Sequence, residues 1–254
     1  MDPSRTPDSE PTEPERAPAP DKAEAAADFP SRRIARRWPL ISGVIAVLLA
    51  FLLGALILIR GNGSPIEADA EWMEEIVEHR SPVWEVPALL MNFLGAGIAG
   101  VIVIPVLILV ALLILRRPWA ALYFVVATIV SAGLVQVLKT LFGRARPEDM
   151  LITSDFGSFP SGHVANAATM AVALGIIFPW LWVWIAGAVY TVAMMVSRTY
   201  LGAHWLTDTV GGLMLGVGVA VLLWAPLAAK LDGENTIARR RAATPRPPAR
   251  QGNP

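Results

Sequence analysis

Five stretches of this chain carry no charged residue at all: 38–59, 86–115, 118–138, 164–197 and 209–229. Crossing a bilayer takes about 20 consecutive apolar residues. The first, third and fifth runs each fit one helix. Run 86–115 is long for one pass, and Pro105 is the expected place for a kink. Run 164–197 is too long for one pass and carries Phe178-Pro179-Trp180 near its middle. Its halves would rise ~24 Å and ~28 Å as helices, which reads as a tight helical hairpin. The expected fold is therefore all-α, a six-helix transmembrane bundle.

Only 17% of residues are charged, against about 25% in a soluble domain. What charge exists sits between the apolar runs and at the ends. Residues 1–30 hold seven prolines and eight acidic residues, the composition of a disordered tail. The expected division is a disordered tail at 1–37, a membrane domain at 38–231 and a disordered basic tail at 232–254. The net charge is zero, so no global field favours nucleic acid. The absence of cysteine excludes disulfides and thiolate metal sites.

Segment 61–82 is acidic, with Ile66, Ala70, Met73 and Val77 at helical spacing, so a short interfacial helix is expected there. Its Glu67, Glu71, Glu74, Glu75 and Glu78 read as a solvated face, and His79 as a solvated histidine. Gly95, Gly97, Gly100, Gly211, Gly212, Gly216 and Gly218 point to close helix packing. Trp38, Trp119, Trp180, Trp182, Trp184 and Trp205 fit interfacial belts. Arginines before the first run, Arg116-Arg117 and the basic C-terminal segment share one side by parity, expected to be cytoplasmic. Loops 139–163 and 198–208 then lie on the outer side.

Those two loops gather the polar chemistry. Lys139, Arg146 and Arg198 stand at run ends. Alone, each reads as an interfacial snorkelling cation; three on one face would repel one another without an anion. Pro160-Ser161-Gly162-His163 opens the fourth run. Ser161 suits a helix N-cap, Gly162 permits close backbone approach, and the free N–H groups of a first turn favour an anion. His163 over the same anion can give or take a proton. His204 and Asp208 are four residues apart, on one face of a helical turn. A carboxylate there fixes the imidazole tautomer and leaves the other nitrogen nucleophilic.

Taken together, Lys139-(six residues)-Arg146-Pro147, Pro160-Ser161-Gly162-His163 and Ser197-Arg198-(five residues)-His204-(three residues)-Asp208 resemble the three-part signature of the type 2 phosphatidic acid phosphatase superfamily. The resemblance covers 139–208, and the span layout extends it over about 38–230. It implies that His204 is the nucleophile forming a phosphohistidine, that Asp208 orients it, and that His163 protonates the leaving group. It implies that Lys139, Arg146, Arg198, Ser161 and Gly162 hold the phosphoryl oxygens, with no metal and no cofactor. Arg144, in the same stretch, reads as a helper on the phosphate or as a headgroup-facing arginine. The expected partners are the bilayer and a phosphorylated lipid, met at the extracytoplasmic face of a cell membrane; the Ala- and Arg-rich composition suits a bacterium. Transfer of the phosphate to another acceptor, and anionic-lipid binding or transport without chemistry, are the alternatives. The motifs grip phosphate, so they set neither the lipid tail nor an oligomeric state.

Overall fold

The computed structural model describes the chain at 22–61, 65–95 and 98–243, with side-chain surroundings between 37 and 238. The chain divides into two compact units, Met1–Arg36 and Arg37–Pro254. Every described element is helical. They are α1 (Lys22–Gly61), α2 (Glu67–Glu78), α3 (Pro82–Gly95), a π-helical turn (Ala99–Val103), α4 (Ile104–Ile114), α5 (Pro118–Phe142), α6 (Gly162–Ile177), α7 (Leu181–Tyr200) and α8 (Leu206–Ala243).

Four helical stretches are long and apolar enough to cross a membrane: Arg37–Gly61, Pro118–Phe142, Leu181–Tyr200 and Leu206–Ala238. The α3–α4 pair supplies a fifth if counted as one bent span, with 49° between its halves. The remaining apolar helix, α6, has 16 residues, or about 24 Å of rise, short of the ~30 Å hydrocarbon core. The described helices thus give four or five candidate spans where six are expected. The difference lies in α6, whose length is clipped by the turn carrying Ser161 and by Phe178-Pro179. That helix is the hub of the bundle, packed against α5, α7 and α8.

The two helical halves of the second expected span, Pro82–Gly95 and Ala99–Ile114, lie at 49° to each other, and Pro105 falls within the second half. It stands in the first turn of α4, directly after the π-helical turn. The helical ladder slips at the π-turn.

Part of each expected tail is helical among the described residues. Residues 1–21 and 244–254 lie outside the described residues. Lys22–Arg36 is helical, in keeping with the strong helix formers Lys22-Ala23-Glu24-Ala25-Ala26-Ala27. At the other end α8 continues to Ala243 because it has something to hold. Glu234 Oε1 accepts the Trp119 N–H at 2.7 Å and Oε2 accepts the Ala120 N–H at 3.1 Å. These are orphan donors of the α5 N-terminus, a favourable place for a carboxylate. Asn235 Oδ1 accepts from the buried Arg117 guanidinium.

Small residues set the helix spacing around α6. A Cβ at Gly216 would strike the Ala165 carbonyl of α6, so α8 lies close against it. Gly97 lies outside the described residues. Inside the bundle Thr169 Oγ1 donates to Ala165 O at 2.7 Å and shares a hydrogen bond with Ser131 of α5 at 2.9 Å. The outward faces are apolar and exposed, as at Leu48, Leu52, Val101, Leu107, Val189 and Val192. Such faces suit lipid.

Candidate active site

The α5 helix ends at Gly143, whose φ of 52° is left-handed and whose N–H bonds the Lys139 carbonyl at 2.9 Å. This glycine cap leaves Lys139 in the last turn with its side chain buried. The following loop doubles back, so that a Cβ on Gly157 would meet Lys139 at 3.3 Å. Arg146, on that loop, is fixed by carbonyls: Nε donates to Asp155 O at 2.9 Å, Nη2 to Gly157 O at 3.0 Å, and Nη1 to Ala203 O.

Ser161 stands at the N-cap of α6 but makes no side-chain cap bond. Its backbone N–H donates instead to Asp208 O at 3.0 Å, which ties the α6 start to the α8 start. Space is tight on the α5 side of Gly162, where a Cβ would meet Val135 at 3.3 Å. Arg198 ends α7 and is 1% exposed. It is anchored through Nη1 to Asn92 Oδ1 at 2.7 Å. Its carbonyl accepts the N–H groups of Ala203 and His204, which sets His204 directly below it.

The three clusters converge. Lys139, Arg146, Gly162, His163 and His204 line one cavity of about 560 Å³. It runs from the polar loop past Asn92 and Asn166 to Val101, Pro105 and Ile129 of the apolar helices. Seven buried side-chain nitrogen and oxygen atoms lack a hydrogen-bond partner among the described residues. Five belong to the signature: Ser161 Oγ, His163 Nε2, Arg198 Nε and Nη2, and His204 Nδ1. Each such orphan costs about 1–3 kcal/mol. Two of the five, His163 Nε2 and His204 Nδ1, belong to residues that line the cavity.

His204 is 2% exposed, and burial pushes its imidazole down to about 4 against the opposing pull of Asp208. Its Nε2 lies 3.4 Å from Arg146 Nη1. A guanidinium has only protons to offer, so Nε2 presents its lone pair and the ring proton sits on Nδ1. Nδ1 faces Asp208 Oδ2 at 3.5 Å, too long for a formed hydrogen bond and close enough for attraction. Asp208 is held from elsewhere: Oδ2 accepts the Trp205 N–H at 2.9 Å and Oδ1 accepts Arg144 Nη1 at 2.6 Å.

Three participants were not legible as such in the sequence. Asp155 inserts its carboxylate between Lys139 and Arg146. Arg144 is neither solvated nor in the cavity; it is buried between Asp208 and Asp69. Asp69, fully buried on α2, did leave a signal: it falls on the apolar stripe between Ile66 and Met73. Ala70, expected inward, is exposed, while the glutamates of α2 and His79 are solvated. Trp205 is no belt residue, since its ring packs under Arg144 and its Nε1 donates to Ala145 O at 2.9 Å.

A family model described as the PAP2 superfamily matches residues 120–230, which contain all three signature motifs. An undecaprenyl-diphosphatase of Sulfolobus acidocaldarius is 30% identical over 141 residues, covering 52% of this chain and 67% of that protein. The chain belongs to the PAP2 superfamily. It is a multi-pass membrane protein and a phosphatase of the PAP2 class. Phosphatidylglycerophosphatase B of Bacillus subtilis is 34% identical over 112 residues, which span 40% of this chain and about half (55%) of that relative. Among solved structures, a PAP2-type phosphatidylglycerolphosphate phosphatase from Bacillus subtilis superposes with a TM-score of 0.63 at 26% identity. That likeness covers 74% of this chain and 96% of the other. Asp69 lies outside the stretch that the family model matches.

Proposed function

We propose that this PAP2 protein hydrolyses the phosphate or diphosphate of a membrane lipid at the extracytoplasmic face, through a phosphohistidine on His204. One observation carries the reading: Lys139, Arg146 and the two imidazoles of His163 and His204 line a single cavity that also reaches Val101, Pro105 and Ile129 of the apolar helices, while Ser161 and Arg198 lie outside its lining. A lipid headgroup lies at that depth, with its tail among the helices.

The chemistry follows from the donors. Lys139, Arg146 and Arg198, with Ser161 Oγ and the Gly162 N–H, hold the non-bridging phosphoryl oxygens and offset the charge that spreads over them in the transition state. The lone pair of His204 Nε2 forms a bond to phosphorus as the bond to the leaving oxygen breaks. His163 gives that oxygen its proton. Asp208 stabilises the imidazolium through the proton on Nδ1, a contact that a small ring rotation shortens. Water, losing a proton to His163, then attacks phosphorus and breaks the P–N bond. One water is consumed, and the products are inorganic phosphate and either the alcohol or, from a diphosphate, the monophosphate.

The names of the relatives suggest which lipids to try first: a prenyl diphosphate and phosphatidylglycerophosphate. Placing the site outside rests on the cations gathered at the opposite helix ends, Arg116, Arg117 and Lys230. The full six-pass path, with α6 as a short pass buried by its neighbours, belongs to the same proposal. Phosphate release from purified protein, with both lipids and with phosphatidate, is the test. Wild type should turn over at least one of them, and His204→Ala should lose more than 1,000-fold. Equal rates for the two proteins would remove His204 from the reaction.

A further inference from the structure

The helix α2 carries one carboxylate that solvent does not reach. Asp69 is 0% exposed, and both of its oxygens are engaged. Oδ1 accepts the Thr207 N–H at 2.9 Å; Oδ2 accepts Thr207 Oγ1 at 2.6 Å and Arg144 Nη2 at 2.6 Å. Arg144 Nη1 then donates to Asp208 Oδ1 at 2.6 Å and to Thr207 Oγ1 at 2.8 Å. The result is a buried line, Asp69–Arg144–Asp208, that ends on the residue facing His204.

Anchoring α2 does not require this. Met73, on the same stripe, is buried by ordinary packing, and an apolar side chain at 69 would extend it. Burying three charges is costly, and replacing buried ion pairs by well-packed apolar groups is often neutral or stabilising. The line does two things that apolar packing does not. It occupies Asp208 Oδ1 with a charged donor, while Oδ2 accepts the Trp205 N–H and faces His204. It also divides Arg144 between two carboxylates. With Asp208 as its sole partner, the guanidinium would cancel the charge that His204 needs when its ring becomes an imidazolium. Two carboxylates and one guanidinium keep a net negative charge behind that ring.

We infer that Asp69 is a positioning residue for the phosphatase reaction: through Arg144 it fixes the orientation and preserves the charge of Asp208, and so the reactivity of His204. This rests on the reading of His204 as nucleophile. It adds a contribution from the segment between the first two apolar runs, outside the three signature motifs.

A double-mutant cycle on the full-length protein in detergent tests it. The probes are phosphatidate and a prenyl diphosphate as substrates, and inorganic phosphate as competitive inhibitor. Asp69→Asn should lower kcat by 30-fold or more, with KM and the phosphate inhibition constant within threefold of wild type. In an Asp208→Asn background the same change should cost less than threefold, because its route to the ring is already cut. A purely structural role would cost the same factor in both backgrounds, or shift phosphate inhibition as well, and either result overturns the inference. So does Asp69→Asn with wild-type kcat. Should Asp69→Asn fail to fold, the apolar pair Asp69→Leu/Arg144→Met is measured instead. A folded pair with undiminished kcat, or failure of both variants to fold, assigns Asp69 to stability and ends the positioning role. His204→Ala separates the two levels: full activity there defeats the nucleophile reading, whereas an inactive His204→Ala beside an additive cycle defeats only the inference about Asp69.

Discussion

Asp155 Oδ1 lies 2.7 Å from Arg146 Nη2 and 3.1 Å from Lys139 Nζ, so a loop carboxylate sits between two of the cations assigned to the substrate's phosphate. Burial alone would raise this carboxyl; the Lys139 hydrogen bond and the charges of Lys139 and Arg146 outweigh it and hold Asp155 below the ordinary carboxylate range. It therefore remains an anion across the neutral and mildly acidic range. Its side chain is 65% exposed, which keeps the pairing weak and displaceable. An exposed ion pair is worth no more than about 1 kcal/mol. Asp155→Asn should accordingly tighten competitive inhibition by inorganic phosphate about fivefold. Phosphate inhibition of lipid hydrolysis checks this; an unchanged or weakened inhibition constant would mean that Asp155 helps to hold the cations in place and does not compete for them.

The pH profile follows from the burial of His204. An isolated imidazole titrates near 6.5, and the buried ring is pushed down to about 4. Only the neutral ring has a lone pair for phosphorus, so activity is lost as pH falls through the lowered value. The acid limb of kcat/KM, which reports the free enzyme, should lie closer to pH 4 than to 6.5. The ionisation of a phosphate monoester near 6 is corrected by titrating the substrate. A limb at 6.5 after that correction would mean that solvent reaches the ring before substrate binds.

Sidedness can be tested without background, because the chain has no cysteine. Phe156, on the loop that carries Asp155, is 73% exposed. A Phe156→Cys variant in intact cells should react with a membrane-impermeant maleimide, while a Trp119→Cys variant, at the other end of α5, should react only after lysis. The reverse pattern would put the catalytic loops on the cytoplasmic side.

The apolar runs and the three motifs were readable because each is a local pattern: a length without charge, or a fixed spacing of polar residues at a helix end. What escaped depends on partners far away in the chain. Arg144 was ambiguous because its two partners sit 75 and 64 residues away. Asp155 carries no motif, and its role appears only once the loop folds back over Lys139. Pro105 is visible in the sequence as a kink candidate, whereas the slipped hydrogen-bond ladder of the π-turn at Ala99–Val103 is not. The end of α8 was hidden for a related reason, since a basic Pro/Ala-rich composition masked Glu234 and Asn235.

That hidden contact gives a stability prediction far from the chemistry. Glu234 accepts the first free N–H groups of α5, at the opposite end of a 25-residue helix from Lys139. Glu234→Ala leaves both donors without their carboxylate and takes negative charge from a helix N-terminus. Loss of a cap costs about 1 kcal/mol, which corresponds to roughly 2–4 °C in Tm for a domain of this size. About 30 Å of helix separates Trp119 from Lys139, so turnover per folded molecule should stay at the wild-type value. A chain truncated after Leu231 should lose more, because it also leaves the buried Arg117 guanidinium without Asn235. Thermal melts in detergent, paired with phosphate release, separate these outcomes. A fall in kcat for Glu234→Ala with unchanged Tm would show that α5 transmits its N-terminal state to Lys139.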